Sequence, residues 1–229
     1  MALKVVYEDN HLIVINKDSG DLVQGDITGD APISDAVKDY IKVKYNKPGD
    51  VFLGTVHRLD RPTTGIVLFA RTSKALSRMN LMFKEKTIKK TYWAVTEGKP
   101  EVNSARLVNF LLKNPTKNKS FVVNEKKTGA KMAELSYKLI GSGSNYHYIE
   151  VLPETGRHHQ IRVQLSNMKC IIKGDLKYGA KRSNKDGSIH LHARKLEFIH
   201  PVTKESMLIE ADPPEHDNLW LDFLKTAKK

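Results

Sequence analysis

The chain has 229 residues, of which 40% are hydrophobic, enough to bury a normal core in one large domain or two small ones. Its 38 Lys and Arg residues outnumber 26 Asp and Glu residues, and the net charge of +12 favours a polyanionic partner, most often nucleic acid. A single cysteine, Cys170, excludes an intramolecular disulfide and a multi-cysteine zinc site, and its apolar neighbours predict a buried small side chain. The sequence has neither a signal segment nor a long apolar run, so we expect a cytoplasmic protein with no membrane contact.

The first third of the chain predicts a hairpin, a loop, a helix and a second pair of strands. β-branched runs flank a polar break in residues 4–16, and Gly and Asp dominate the loop at 18–30. A Ser start signal and helical spacing predict an amphipathic helix over 34–45. A short apolar strand at 51–53 then leads through a polar turn to a strand at 65–70.

The rest of the chain contains more strands than helices. Predicted helices occupy 72–84, part of 154–166 around Ile161 and Leu165, and 218–225; predicted strands occupy 89–96, 133–140, 146–152, 189–199 and 207–210. The strongly basic stretch 113–131 predicts two strands around a turn, with lysines that contact phosphates. Because strands and helices do not alternate, we expect an α+β fold with a largely antiparallel mixed sheet flanked by helices and loops, in a single domain over residues 1–229.

We expect the chain to be organised around the polar turn, whose sequence with its flanks is TVHRLDRPTTGIVLFAR at residues 55–71. Three ionisable residues, His57, Arg58 and Asp60, lie within four positions there. Loops held between strands commonly carry catalytic groups. The structural alternative is an aspartate that caps its own turn through hydrogen bonds to backbone N–H groups.

Other reaction chemistries lack their characteristic residue patterns. The nine histidines include no HExxH and no other recognised metal spacing, so no metal site is expected. The sequence contains no GxxxxGK[ST], GxGxxG or nucleophile elbow around a serine. One carboxylate in a crowded turn, several arginines and a strand tyrosine remain as candidates.

Several motifs, taken in order, resemble those of one enzyme family. The turn HRLDRPTTG is similar to the HRLDxxTSG signature of RluA-type pseudouridine synthases. Four further stretches, KTYWAV, TGRHHQIRVQL, GDLKYG and LHARKLEFIHP, follow in the family's order, and the opening VVYEDNHLIVINKDSG is similar to its first strands. The resemblance covers essentially the whole chain and implies a pseudouridine-synthase-like catalytic domain.

The resemblance implies roles for named residues. Asp60 would be the essential aspartate, Tyr92 the active-site tyrosine that stacks on a flipped uracil, and Arg162 the arginine that pairs with Asp60. The alternatives are a core aromatic for Tyr92 and a surface cation for Arg162. Further residues of the same motifs are expected to contact substrate: His57, Arg58, Arg61, Thr64, Arg157, His159 and Gln160.

The implied activity is isomerisation of specific uridines in structured RNA, a tRNA or rRNA stem-loop. The reaction breaks a C–N glycosidic bond, turns the base and forms a C–C bond, so no cofactor is expected, whereas glycoside hydrolysis usually uses two carboxylates. Asp60 would either attack C1′ or remove a sugar proton, and the sequence does not choose between them. Two other functions remain as alternatives. One is a noncatalytic RNA-binding protein on the same scaffold. The other is a metal-dependent nuclease, which would require clustered carboxylate or histidine ligands that the sequence does not show.

The sequence departs from the family pattern at three positions. Thr64 replaces a usual Ser, Gln164 a common His, and Asp18 a usual Pro. We expect these changes to affect substrate contacts more than chemistry. Because the catalytic pattern begins at residue 5, we expect no separate N-terminal RNA-binding domain, and we expect a monomer that recognises its RNA through a basic cleft and RNA shape.

Overall fold

The structure is a computed structural model that describes residues 3–25 and 29–228. The backbone divides into two compact units. Unit 1 comprises Met1–Ile88 and Arg194–Asp212, and unit 2 comprises Lys89–Ala193 and Pro213–Lys229. The predicted single domain over residues 1–229 stays a prediction. The predicted loop at 18–30 includes residues 26–28, which lie outside the described residues.

The described residues form eleven strands and four α-helices. The strands are β1 (Val5–Glu8), β2 (Leu12–Lys17), β3 (Gly54–Thr55), β4 (Thr64–Ala70), β5 (Lys89–Thr96), β6 (Ser104–Asn114), β7 (Lys119–Val123), β8 (Lys131–Ser142), β9 (His147–Pro153), β10 (Leu191–Ile199) and β11 (Ser206–Glu210). The helices are α1 (Ile33–Lys44), α2 (Ser73–Lys84), α3 (Gln160–Asn167) and α4 (Asn218–Ala227), with a 3₁₀ turn at Leu176–Tyr178. None of the helices in the described ranges is both long and apolar enough to cross a membrane.

Unit 1 is built on the antiparallel strands β1, β2 and β4, with β3 paired to the end of β4 and β11 paired to β10. Every residue of β4 is buried, as expected for a strand covered on both faces. Helix α2 begins as predicted: the Thr72 hydroxyl accepts a hydrogen bond from the Ala75 N–H at 3.1 Å. The predicted hairpin in residues 4–16 is confirmed by the pairing of β1 with β2.

Unit 2 contains the antiparallel strand order β5, β9, β8, β6, β7. Helix α3 packs against β6 and β7. Helix α4 packs Phe223 on Trp93 and Tyr148, with ring centroids 4.4 and 5.1 Å apart. Cys170 is fully buried in the apolar core, as predicted, and burial raises the pKa of its thiol to about 11.

The α+β class is confirmed, but three local predictions were wrong. The strand expected at 51–53 lies at Gly54–Thr55, where Gly54 packs closely on Leu76. Pro32, not Ser34, occupies the N-cap of α1, and no side chain caps it. The predicted pair of strands around a turn is confirmed as β6 and β7, but β6 begins earlier than expected, at Ser104. Its start was missed because apolar residues on both of its faces hide the alternation that marks a half-buried strand.

Candidate functional site

Asp60 lies half-buried in the turn between β3 and β4 of unit 1. The Thr63 N–H donates to the Asp60 carbonyl at 3.0 Å, and Leu59 anchors the turn in the core at 9% exposure. The next carbonyl, that of Arg61, accepts a hydrogen bond from the Gly20 N–H at 3.0 Å. These two backbone hydrogen bonds therefore close the turn that presents Asp60 and tie it to the loop after β2.

The fully buried Lys17 lies beneath this turn. Its ammonium donates to the carbonyls of Asp18, Asp21 and Arg61 at 2.8, 3.0 and 3.1 Å. Burial lowers the pKa of Lys17 to about 8, although the negative charges of Asp21, Asp18 and Asp60 oppose this shift. An ammonium has three protons to donate, so these carbonyls satisfy it and join the loop after β2 to the Asp60 turn.

The remaining predicted residues of unit 1 surround Asp60 in sequence, and their environments differ. Nε2 of His57 accepts the Leu68 N–H at 3.1 Å, and its ring stacks on Phe83. Arg58 is exposed, and Thr64 is buried at the start of β4. Arg61 donates to the Gly20 carbonyl at 2.9 Å and pairs with Asp30 at 2.7 Å. Their substrate contacts stay predictions, and Arg58 and Arg61 are the exposed members of the four.

In unit 2, Arg162 is held by a buried ion pair. Its Nε and one Nη donate to the two carboxylate oxygens of Asp175 at 2.7 and 2.8 Å, and the two side chains are only 5% and 1% exposed. The guanidinium also lies over the Tyr178 ring, 5.2 Å from its centroid. The alternative of a surface cation is therefore wrong. The predicted pairing of Arg162 with Asp60 stays a prediction.

The residues preceding α3 form a hydrogen-bonded group with the GDLKYG segment. His159 is 8% exposed, has a positive φ of 53°, and lies with Nδ1 3.0 Å from the Tyr178 hydroxyl. Desolvation, reinforced by the positive charge of Arg162, lowers the pKa of His159 to about 2. This imidazole is therefore neutral at physiological pH, so any contact it makes with RNA uses an uncharged ring.

Gln160 and Arg157 also build this corner of unit 2. The Gln160 carbonyl oxygen accepts the Thr155 hydroxyl at 2.7 Å and the Arg157 N–H at 2.9 Å, and its amide donates to the Glu134 carbonyl at 2.9 Å. The exposed Arg157 donates through Nε to the Met132 carbonyl at 2.9 Å. Gln160 is therefore tied to the protein at both ends of its amide. Direct contact of either residue with substrate stays a prediction.

Tyr92 lies on β5, opposite Val151 of β9. It is half-buried and packs against the apolar core of unit 2. A strand residue has a fixed direction, so the sheet holds this ring in place. Its predicted stacking on a uracil stays a prediction.

Two kinds of comparison with known proteins bear on this arrangement. Residues 11–167 match the family model described as RNA pseudouridylate synthase. The ribosomal large subunit pseudouridine synthase C of Vibrio vulnificus is 34% identical over 231 aligned residues, which cover 98% of this chain and 70% of that protein.

The chain belongs to the RNA pseudouridylate synthase family. It is an RNA pseudouridine synthase of the RluA type. The ribosomal large subunit pseudouridine synthase D of Zymomonas mobilis is 28% identical over 239 residues, covering 100% of this chain and 75% of that one. The structure titled human RNA Pseudouridylate Synthase Domain Containing 4 has the same fold, with a TM-score of 0.80 and 24% identity over 98% of this synthase and 93% of that chain.

Three residues of this synthase were not predicted from sequence, although within their own units they hold candidate residues in place. Lys17 lies in the opening stretch, and Asp175 and Tyr178 lie in GDLKYG. Both segments are among those that carry the family resemblance, so the sequence marked them as important. It did not show which groups these three side chains contact. Gln164, expected to alter substrate contacts, is 1% exposed and donates to the Asn109 side chain at 2.9 Å, which places it in the packing of α3 on β6.

No group of three or more His, Cys, Asp and Glu side chains within residues 3–25 and 29–228 is arranged to hold a metal ion.

The ion pair gives a stability prediction. Asp175→Ala should lower the free energy of unfolding by about 3–5 kcal/mol, because it leaves the buried Arg162 guanidinium without its carboxylate. The double variant Arg162→Met/Asp175→Leu removes both charges and should recover most of the loss. Urea denaturation measures both. A double variant no more stable than Asp175→Ala would contradict the assignment of the loss to an unpaired charge.

The neutral His159 gives a pH prediction. The unfolded chain takes up a proton near its ordinary pKa of 6.5, whereas folding lowers that pKa to about 2. Stability contributed by His159 is therefore lost as pH falls below about 6.5, at about 1.4 kcal/mol per pH unit. His159→Asn, in which Asn tolerates the positive φ, should remove this component from urea denaturation curves between pH 7 and 5.

The exposed His216, in the same unit, provides the matched control. His216→Asn should keep the wild-type dependence of unfolding free energy on pH. Equal slopes in wild type and His159→Asn would show that His159 is not the buried neutral group.

Proposed function

We propose that this synthase converts uridine to pseudouridine in ribosomal RNA, with Asp60 as the essential carboxylate. The reaction breaks the bond between C1′ and N1, turns the uracil, and joins C1′ to C5. The proton on C5 is lost and N1 gains one, so substrate and product are isomers and no oxidant or reductant is consumed. Asp60 supplies either the nucleophile for C1′ or the base for a sugar proton.

Tyr92 and Arg162 support Asp60 in this proposal. Tyr92 provides an aromatic face on which the flipped uracil stacks, since a base must leave its helix before the glycosidic bond is accessible. Arg162 supplies a guanidinium that pairs with the Asp60 carboxylate. Its bidentate pairing with Asp175 supports this role, because a guanidinium held at two nitrogens has a fixed direction.

The observation that carries the proposal is the rigid turn around Asp60. Its backbone is closed by the Asp60–Thr63 hydrogen bond and held through Arg61 by the buried Lys17 ammonium. Catalytic groups must be held close to their productive geometry. A solvated loop aspartate would not require a buried ammonium beneath its turn.

The choice of ribosomal RNA rests on the relatives. The Vibrio vulnificus and Zymomonas mobilis proteins are named as ribosomal large subunit pseudouridine synthases. The net charge of +12 suits a phosphate-rich partner. The target is a uridine in a stem-loop, where unpaired bases flip at low energetic cost, and the enzyme acts in the cytoplasm as a monomer.

Asp60→Asn tests the catalytic assignment. The amide preserves shape but neither attacks C1′ nor accepts a proton, so pseudouridine formation should fall at least about a hundredfold while RNA affinity stays near wild type. Mass spectrometry of the treated RNA measures conversion, and fluorescence anisotropy measures binding. Asp35→Asn makes the same change on an exposed residue of α1 and should leave both unchanged. Retention of more than about a hundredth of the activity in Asp60→Asn would exclude Asp60 as the essential carboxylate.

A position-resolved pseudouridine map of total RNA tests the substrate. Cells lacking the protein should lose one or more sites in large-subunit rRNA, and wild-type protein supplied in trans should restore them. The Asp60→Asn variant, expressed at the same level, should not. Loss of sites in tRNA alone would contradict the rRNA assignment. Unchanged maps, together with purified protein that binds RNA but converts no uridine, would favour a noncatalytic RNA-binding protein.

A further inference from the structure

The β6–β7 hairpin of unit 2 has an open apolar groove on one face. Strand pairing places Leu112 opposite Phe121, with Val123 on the same face. The groove has a volume of about 360 Å³, and Phe121 is 38% exposed within it. This volume lies within the range of roughly 300–1,000 Å³ common for small-molecule sites. An aromatic ring therefore forms part of an accessible groove large enough for one planar group.

The chain around this groove is strongly basic. Residues 113–131 contain six lysines and a single acidic residue, Glu125. Lys117 is exposed in the turn between the strands. The ammonium of Lys119 lies 5.5 Å from the Phe121 ring centroid and 4.8 Å from that of Tyr178. Positive charge next to an aromatic face is the combination that binds single-stranded nucleic acid, with phosphates on the lysines and a base on the ring.

The tip of the hairpin is held in place by unit 2. The Ser120 N–H donates to the Tyr178 hydroxyl at 2.9 Å, and the Ser120 hydroxyl donates to the His158 carbonyl at 2.7 Å. The His158 ring lies 3.1 Å from the Asn118 side-chain oxygen, and Lys177 donates to the Asn118 carbonyl at 3.1 Å. A preformed surface loses less conformational entropy on binding than a mobile loop.

The same contacts connect the groove to the candidate site of unit 2. The Lys119 ammonium and the Arg162 guanidinium both lie near the Tyr178 ring, at 4.8 and 5.2 Å from its centroid. The order Phe121, Lys119, Tyr178, Arg162 is thus a continuous series of aromatic and cationic groups. Because Tyr178 and Arg162 are buried, this series connects the groove to the candidate site of unit 2 through the protein interior.

We propose that the groove on the β6–β7 hairpin binds an unpaired nucleotide of the substrate RNA. The base stacks on Phe121, and Lys117 and Lys119 contact the adjacent phosphates. The inference rests on the proposed function, because it identifies the bound RNA as the substrate of Asp60. It assigns a role in substrate recognition to the β6–β7 hairpin, which has no part in the proposed chemical steps.

Binding of a fluorescent six-nucleotide oligouridine, followed by anisotropy, tests the stacking. Phe121→Ala should weaken binding about tenfold, within the range for loss of one base–aromatic stack, whereas Phe121→Trp should keep or improve it. Phe52→Ala removes an exposed aromatic ring from unit 1, at 48% exposure, and should leave affinity unchanged. Wild-type affinity in Phe121→Ala, or an equal loss in Phe52→Ala, would overturn the proposal. Retained binding in Phe121→Trp shows that the substituted hairpin still folds.

The salt dependence of the same binding tests the lysines. Lys117→Gln/Lys119→Gln should reduce the slope of log affinity against log salt concentration by about 0.7 per lysine, the value for single strands. Lys38→Gln/Lys42→Gln makes the same charge change on α1 and should leave the slope unchanged. Equal slopes in the hairpin variant and wild type would exclude these lysines as phosphate contacts.

Activity and binding together separate this inference from the proposed function. With substrate RNA, Phe121→Ala should raise KM and keep kcat, because the lost contact is made equally in ground and transition states. Asp60→Asn should retain oligouridine binding that depends on Phe121. If the enzyme converts uridine and Phe121→Ala changes neither KM nor oligouridine binding, the groove proposal is rejected and the proposed function stands. Phe121-dependent binding without any conversion would reject the proposed function and leave the groove as an RNA site.

Discussion

The buried ion pair between Arg162 and Asp175 is the interaction on which the candidate site of unit 2 depends. Two charges that are 5% and 1% exposed are tolerated only because the bidentate geometry satisfies both groups. The pair joins α3 to the GDLKYG segment and thereby positions Tyr178, whose hydroxyl contacts His159 and Ser120. The positive charge of Arg162 also helps to keep His159 neutral. The ion pair thus fixes the direction of the arginine and holds in place the tyrosine that contacts both His159 and the β6–β7 hairpin.

Unit 1 uses a buried charge in a similar way. The Lys17 ammonium has backbone carbonyls rather than a bidentate carboxylate as its hydrogen-bond acceptors, and they come from the loop after β2 and from the Asp60 turn. In both units a charge removed from water needs its full set of partners, so it fixes the segments that supply them. Loops that would otherwise be mobile become rigid supports for exposed or half-buried polar groups. The basic hairpin, by contrast, carries its exposed lysines on a surface that hydrogen bonds with Tyr178, His158 and Lys177 hold in place.

Much of the fold could be predicted from local pattern, and the failures have physical causes. The bounds of α2 followed from its capping residue and helical spacing, and the pairing of β1 with β2 followed from β-branched runs on either side of a polar break. These signals act over a few residues. The start of β6 was missed because its exposed face carries Val108, which is 49% exposed, so the alternation of apolar and polar residues is lost. The strand expected at 51–53 lies instead at Gly54–Thr55, where it pairs with Ala70 and Phe69 at the end of β4, a contact between segments that local pattern does not specify. A residue's type does not reveal which partner the rest of the chain brings to it.

The sequence by itself determined the family, the reaction type and the residues Asp60, Tyr92 and Arg162 as candidates, because five ordered motifs specify them with no knowledge of contacts. It also determined the basic character of residues 113–131. Only the tertiary structure decided that Arg162 is buried against Asp175, that Lys17 supports the Asp60 turn, and that Phe121 is exposed beside Lys119. Burial and hydrogen-bond partners depend on segments that are distant in sequence, and they set the charge and direction of each side chain. Composition records how many lysines a chain has, whereas folding decides which of them reach water and which are enclosed.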